Sequence, residues 1–230
     1  MATSSSVSIN KTVSSRAARI KLIYDLLYES FGERHWWPAD SPFEVMVGAI
    51  LTQNTAWTNV EKAMANLKRA DVLSPLKLYR QPVAVIAGLI RSSGFYNQKA
   101  GRLKLMTGYL VDRYHGSIDE MRGRETDALR RELLSIKGIG KETADSILLY
   151  ACGKPVFVVD GYTYRVFSRH GLVDEQMGYD DIQAMFMDNL AHEPATFNEY
   201  HALIVELAKR FCKTKPLCDA CPLAGLPRYV

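Results

Sequence analysis

An all-α fold is what this sequence predicts. Apolar residues recur at three- and four-residue spacing in one stretch after another. The connections between those stretches are short, and only residues 154–159, KPVFVV, are rich in β-branched side chains.

The first stretch, AARIKLIYDLLYESFG, puts Ile20, Ile23, Leu26 and Leu27 on one face and ends at Gly32. In SPFEVMVGAILTQN, Ser41 stands at a cap position, Pro42 suits the first turn, and Glu44 follows three residues after the serine. Its middle is apolar all round, which predicts a buried helix. AWTNVEKAMANLKRA, PVAVIAGLIRSSG and NQKAGRLKLMTGYLVDRYHG read as helices, and ETDALRRELLSI leads into a glycine turn. Beyond it come DGYTYRVFSRHG, YDDIQAMFMDNLA and TFNEYHALIVELAKRFC.

The 230 residues suffice for one large or two small domains with a sizeable core. A net charge of +4 permits an anionic partner without requiring one. No apolar run approaches the roughly 18 residues of a membrane helix. The N-terminal MATSSSVSINKTVSSRAARIK lacks the apolar centre of a secretory signal. It is Ser-rich and acid-free, as transit peptides are, but a disordered tail over residues 1–16 is the simpler reading. Of the cysteines, Cys152 suits a core, whereas Cys212, Cys218 and Cys221 cluster near the C-terminus. Such clustering is unlike a disulfide framework and points to a reduced compartment with a metal or cluster site.

The glycine turn SIKGIGKETAD invites three readings. A phosphate-binding loop needs glycine five residues before Gly140 and Ser or Thr after Lys141; Ser135 and Glu142 stand there. A dinucleotide fingerprint needs a third glycine after a strand, but Thr143 occupies that place and the preceding segment is helical. What remains is helix, Gly-Ile-Gly turn, helix. Gly138 and Gly140 allow a tight bend, Ile136 and Ile139 can anchor it, and the free N–H groups of the second helix can grip a DNA phosphate. A simple pair of capping glycines is the alternative.

Four motifs in order, GAILTQNT, SGFYNQKAGRL, LLSIKGIGKETADSILLYA with VVDGYTYRVFSR, and CKTKPLCDACPL, resemble the endonuclease III superfamily of helix-hairpin-helix DNA glycosylases over residues 20–225. WWP, LTQNT, SGFYNQKA and KGIGKETAD look most like its bacterial 3-methyladenine glycosylase branch. The resemblance implies two helical domains with the active-site cleft between them. A six-helix domain would span 43–154, and the N- and C-terminal helices (17–42 and 155–230) would form the other.

The resemblance makes Asp160 the catalytic acid, its carboxylate stabilising positive charge on the sugar. Asp160 could equally cap the next helix. Members that also cut the backbone carry a lysine where this chain has Glu142. Lys141 is one residue early, about 100° round the helix, so a monofunctional enzyme using water is implied. Trp36, Trp37, Pro38 and Trp57 would form the base pocket, with aromatic faces suited to a cationic alkylated purine. The alternative for Trp36 and Trp37 is a core or hinge role.

Gln53 and Phe95 would enter the duplex when the base is flipped out; a core position is the alternative for Phe95. Lys137, Lys141, Lys99 and Arg102 would contact phosphate. Cys212, Cys218 and Cys221 match three of the family's four iron–sulfur ligands, with Pro227 at the fourth. That leaves a cluster with one other ligand, a zinc site, or a remnant. Double-stranded DNA is the expected partner, for a monomer of the cytoplasm and nucleoid. Excision of mismatched or oxidised bases, or a non-catalytic DNA-binding role, is the alternative to alkylpurine repair.

Overall fold

A computed structural model describes residues 15–34 and 36–229. Those residues form helices and contain no strand. In order they are α1 (Arg16–Phe31), α2 (Pro42–Leu51), α3 (Trp57–Arg69), α4 (Pro75–Arg80), α5 (Val83–Leu89), α6 (Tyr96–Tyr114) and α7 (Ile118–Arg122). There follow α8 (Thr126–Ser135), α9 (Lys141–Ser146), α10 (Gly161–Arg169), α11 (Tyr179–Met187) and α12 (Pro194–Arg210). α9 runs on into a wider π turn over Ile147–Ala151. The tail expected at the N-terminus lies, up to residue 14, outside the described residues. Ser15 caps α1 by accepting from the Ala18 N–H.

The chain divides into two compact units. One gathers the described residues up to Arg34, Val159–His192 and those from Glu199 on; the other runs to Val158 and adds Glu193–Asn198. In the second unit α2 is the central rod, buried from Phe43 to Leu51 except at Glu44. The Ser41 hydroxyl caps it through the Glu44 N–H at 3.3 Å, and Glu44 reaches back to the Asp40 N–H at 3.1 Å. The π turn and α6 pack against α2, and α4 and α5 pack along α6. Residues 154–159 run without a strand partner among the described residues, and Val156 to Val159 are buried.

The first unit is built on aromatic contacts. Phe167 and Phe186 meet edge-on at 4.7 Å, Tyr200 packs on Phe186 at 5.6 Å, and Tyr24 on Tyr200 at 5.1 Å. The Tyr200 hydroxyl donates to the buried Ile20 carbonyl at 2.7 Å, tying α12 to α1.

Glu132 is a hub of the second unit. It accepts from the hydroxyls of Tyr109 (2.7 Å) and Tyr114 (2.6 Å) and pairs with Arg113 and Arg124, each at 3.2 Å. Burial alone would raise its carboxyl, but those four donors outweigh it and hold the group down at about 2. A depressed folded value means the unfolded chain binds the proton more readily. The stabilisation is therefore present above the unfolded value of about 4.3 and is lost as pH falls towards 2. Glu132→Gln is expected to be less stable at neutral pH and to show a flatter loss of stability across that acid window. Urea unfolding at a series of pH values checks this; parallel acid limbs for both proteins would refute it.

Candidate active site

The glycine turn joins α8 to α9. Gly138 has φ +91°, and a Cβ there would sit 2.6–2.9 Å from the Arg102 side chain, so both backbone and packing require glycine. Gly140 is extended, with φ −93°, and caps α9. A Cβ built on it meets nothing within 4 Å, so the α9 N-terminus has an open approach. Ile136 and Ile139 are buried beneath the turn, while Lys137 and Lys141 are exposed. Backbone donors, two lysines and a rigid apolar footing are the elements of a phosphate grip.

Beneath this turn lies a buried ion pair. Asp145 on α9 is 0% exposed and takes both donors of Arg130 on α8, at 2.7 and 2.9 Å.

Asp160 stands at the start of α10. Its Oδ1 accepts from the Thr163 N–H at 2.7 Å and the Thr163 hydroxyl at 3.0 Å, so the residue does cap the helix. Its Oδ2 lies 3.5 Å from His201 Nε2 on α12. The side chain is only 12% exposed. Burial alone would raise the carboxyl, but His201 and Thr163 together hold it below the usual carboxylate range. The result is a fixed negative charge, oriented by a helix cap and screened from bulk water, of the kind that stabilises a developing cation.

The three tryptophans form one cluster in the second unit. Trp37 meets Trp57 edge to face, with centroids 5.4 Å apart and planes at 78°. Trp36 packs on both, at 5.4 and 5.9 Å. Tyr150 lies 5.3 Å from Trp37. Gly48 makes room for the Trp37 ring, whose Cζ2 would be 3.2 Å from a Cβ at that position. Trp37 and Trp57 are therefore not two parallel walls with a slot between them. They form a corner that borders an open cavity of about 230 Å³, to which Pro38, Gly48 and Glu61 also contribute.

Gln53 is tied to the glycine turn. Its amide donates to Thr143 Oγ1 at 2.9 Å and to the Gly138 carbonyl at 3.4 Å, and its oxygen accepts from Arg102. The next residue, Asn54, is exposed and held at φ +52°. Phe95 is 62% exposed, so the core alternative does not hold for it. It lies at φ +44°, a left-handed conformation costly for a bulky residue, directly after Gly94 at φ +67°. A strained turn presents an apolar ring to solvent at the head of α6.

Lys99 corrects the sequence reading. It is 1% exposed and cannot meet a phosphate. Its ammonium donates to the Leu51 carbonyl at 2.8 Å and the Ser93 carbonyl at 2.6 Å, joining the end of α2 to the turn that carries Phe95. Burial, helped by Arg102, lowers it to about 8. Arg102 is half-buried against Gly138 and Gln53, bracing the hairpin.

Cys212, Cys218 and Cys221 line one apolar cavity of the first unit with Leu207 and Phe211. Arg169 Nη1 donates to Cys212 Sγ at 3.2 Å. At the fourth position the Pro227 carbonyl lies 2.9 Å from His170 Nδ1. Among the described residues, no three His, Cys, Asp or Glu side chains converge as a metal ligand set. With Pro227 in the fourth place, the three thiols are one short of a four-thiolate set. Cys152 is buried in the second unit's core, and burial pushes its thiol up to about 12.

The structure also sets His201, Glu61, Asn54, Gly48 and the Arg130–Asp145 pair beside the residues named from the sequence. Two had a visible signal. His201 interrupts the apolar run of α12, and Glu61 stands one helical turn after Trp57.

Comparison with known proteins places the chain in a family. A protein of Methanocaldococcus jannaschii named "Putative DNA repair glycosylase MJ1434" is 51% identical over 203 residues, covering 87% of this chain and 92% of its own. Endonuclease III of Thermotoga maritima is 32% identical over 78% of this chain and 79% of its own. Among solved structures, the 3-methyladenine DNA glycosylase MagIII of H. pylori, bound to 1,N6-ethenoadenine, superposes with a TM-score of 0.72 at 31% identity. It covers 85% of this chain and 98% of that one. No helix among the described residues is long and apolar enough to cross a membrane. Residues 47–192 match the HhH-GPD superfamily of base excision DNA repair proteins, and the chain belongs to that family as an endonuclease III-like DNA glycosylase.

Proposed function

We propose that this glycosylase is monofunctional and releases alkylated purines, 3-methyladenine foremost, from double-stranded DNA. What supports the reading is that the chain carries Asp160, an ionised carboxylate largely screened from solvent, a three-tryptophan corner, and Glu142 where an amine would otherwise stand. The likeness to a 3-methyladenine glycosylase supports the substrate class.

The chemistry follows from those groups. An N3-alkylated adenine is cationic while joined to the sugar. The bond from C1′ to the base breaks with its electron pair going to the base, which departs neutral. Positive charge grows on the sugar, and the Asp160 carboxylate stabilises it. Water then bonds to C1′ and gives up a proton. Phe95, with Gln53 or the neighbouring exposed Asn54, would fill and wedge the opened duplex. Lys137 and Lys141, with the backbone around Gly138 and Gly140, hold phosphate. As a leaving group the alkylated base needs little acid assistance, so a carboxylate and an aromatic corner suffice.

The test is incubation with duplexes bearing 3-methyladenine, thymine glycol or a G·T mismatch, then alkaline cleavage. Release from the first alone is expected. Efficient release of thymine glycol or mismatched thymine, with methylated adenine untouched, would move the protein to a different substrate class within its family.

A second prediction concerns the missing amine. No imine can form at Glu142, so borohydride is expected to trap no protein–DNA adduct on an abasic or lesion-bearing duplex. A covalent band on a denaturing gel, lost on substitution of Lys141, would show that this amine reaches C1′ instead.

A further inference from the structure

The tryptophan corner is bordered by two carboxylates that differ in their compensation. Glu44 is neutralised by Lys68, whose ammonium lies 2.9 Å from Glu44 and 2.7 Å from Asp40. Glu61 accepts a hydrogen bond from the indole Nε1 of Trp57 at 2.9 Å. Among the described residues it has no cation within ion-pairing distance. Both residues line the cavity that Trp37 and Trp57 border.

The geometry points to Glu61 as a specificity-determining residue that makes this corner select a cationic base over a neutral one. The inference rests on the alkylpurine reading and names a source of its charge preference. Two effects act together. The one-turn spacing from Trp57 to Glu61 lets the carboxylate fix the rotation of the indole, so the ring face is held in place before a base arrives. The carboxylate also leaves net negative charge at the cavity, since the single Lys68 is shared by Glu44 and Asp40. As part of the same charge effect, the N–H···O bond polarises the indole and enriches its ring face in electron density. A cation gains from that face and from the carboxylate; a neutral base gains stacking alone.

The two effects separate by substitution. Glu61→Gln keeps an oxygen that accepts from the Trp57 N–H and removes the charge. Glu61→Leu removes both. Glu61 is solvent-exposed, so neither change threatens the core. Single-turnover release is measured on duplexes with the cationic lesions 3-methyladenine and 7-methylguanine, and with the neutral lesion 1,N6-ethenoadenine. E61Q is expected to lower the ratio of cationic to neutral release about fivefold, the scale of one charge interaction in a partly solvated site. Added salt is expected to shrink the wild-type preference and leave the E61Q ratio nearly flat. E61L is expected to lower release of both classes, because the indole loses its anchor. A wild-type preference for cationic bases that persists unchanged in E61Q overturns this assignment alone. Wild-type protein that releases only neutral lesions overturns both the assignment and the alkylpurine reading.

Discussion

Asp160→Asn is expected to lower the single-turnover rate of base release by on the order of 100-fold or more, with duplex affinity within about twofold of wild type. The substitution is nearly isosteric. Asparagine caps helices about as well as aspartate, so the bonds from the Thr163 N–H and hydroxyl to Oδ1 have a replacement acceptor. What disappears is the charge. That charge interacts weakly with a neutral sugar and strongly with one approaching a cation, so its removal acts on the transition state rather than on binding. The same carboxyl lies below the usual range because His201 and Thr163 outweigh the effect of burial. It therefore stays ionised through neutral pH, and activity should fall on the acid side only below the ordinary carboxylate range. His201→Ala removes the imidazole beside Oδ2 and leaves burial less opposed, which is expected to move that acid limb to higher pH. Base release by the Asn variant within threefold of wild type, with an unchanged melting temperature, would remove Asp160 from the chemistry.

The sequence made most of the helical framework legible and part of the site. Periodicity found α1 because Ile20, Ile23 and Leu27 recur on one face, and all three are buried. It found α2 as a buried helix because its residues are apolar on every side. Residues 154–159 were legible as the one stretch rich in β-branched side chains, and they form no strand among the described residues. Here the segment instead buries Val156 to Val159 as an extended connection. The short α4 and α7 carry too few residues for a periodic signal. Asp160 was legible as a helix cap from local spacing alone. Lys99 was not legible as a buried staple, because its two carbonyl partners, Leu51 and Ser93, are brought to it by tertiary packing. The ties of Gln53 to Thr143 and to Arg102, 49 residues further along the chain, were likewise set by tertiary packing. The tryptophans were legible as a group, but their right-angled packing was not, since ring orientation is set by neighbours such as Gly48 and Tyr150.

Asp145→Ala is expected to destabilise the protein by about 3–5 kcal/mol, the scale of breaking a buried ion pair by removing one of its members. The pair is bidentate, at 2.7 and 2.9 Å, and joins the two helices that flank the glycine turn. Asp145 has no contact with water, so its carboxylate was desolvated on folding, and Arg130 is mostly covered. Removing the carboxylate takes two charge-assisted hydrogen bonds from a partly desolvated guanidinium. An apolar replacement of both members avoids that penalty, so Arg130→Met combined with Asp145→Leu should recover most of the loss. If the pair only supports stability, the double variant should bind duplex as wild type does. The pair has a second consequence, because α8 and α9 set the geometry of the backbone donors around Gly138 and Gly140. Without the planar fork the two helices can slide, and phosphate donors displaced by a fraction of an ångström bind less well. The double variant is therefore expected to regain its urea midpoint and still bind duplex several-fold more weakly, with a similar salt slope because Lys137 and Lys141 remain. Urea unfolding and binding titrations on the single and double variants decide this. A loss below about 1 kcal/mol in Asp145→Ala would show that the pair is far better solvated than its burial implies, and full duplex affinity in the double variant would confine its role to stability.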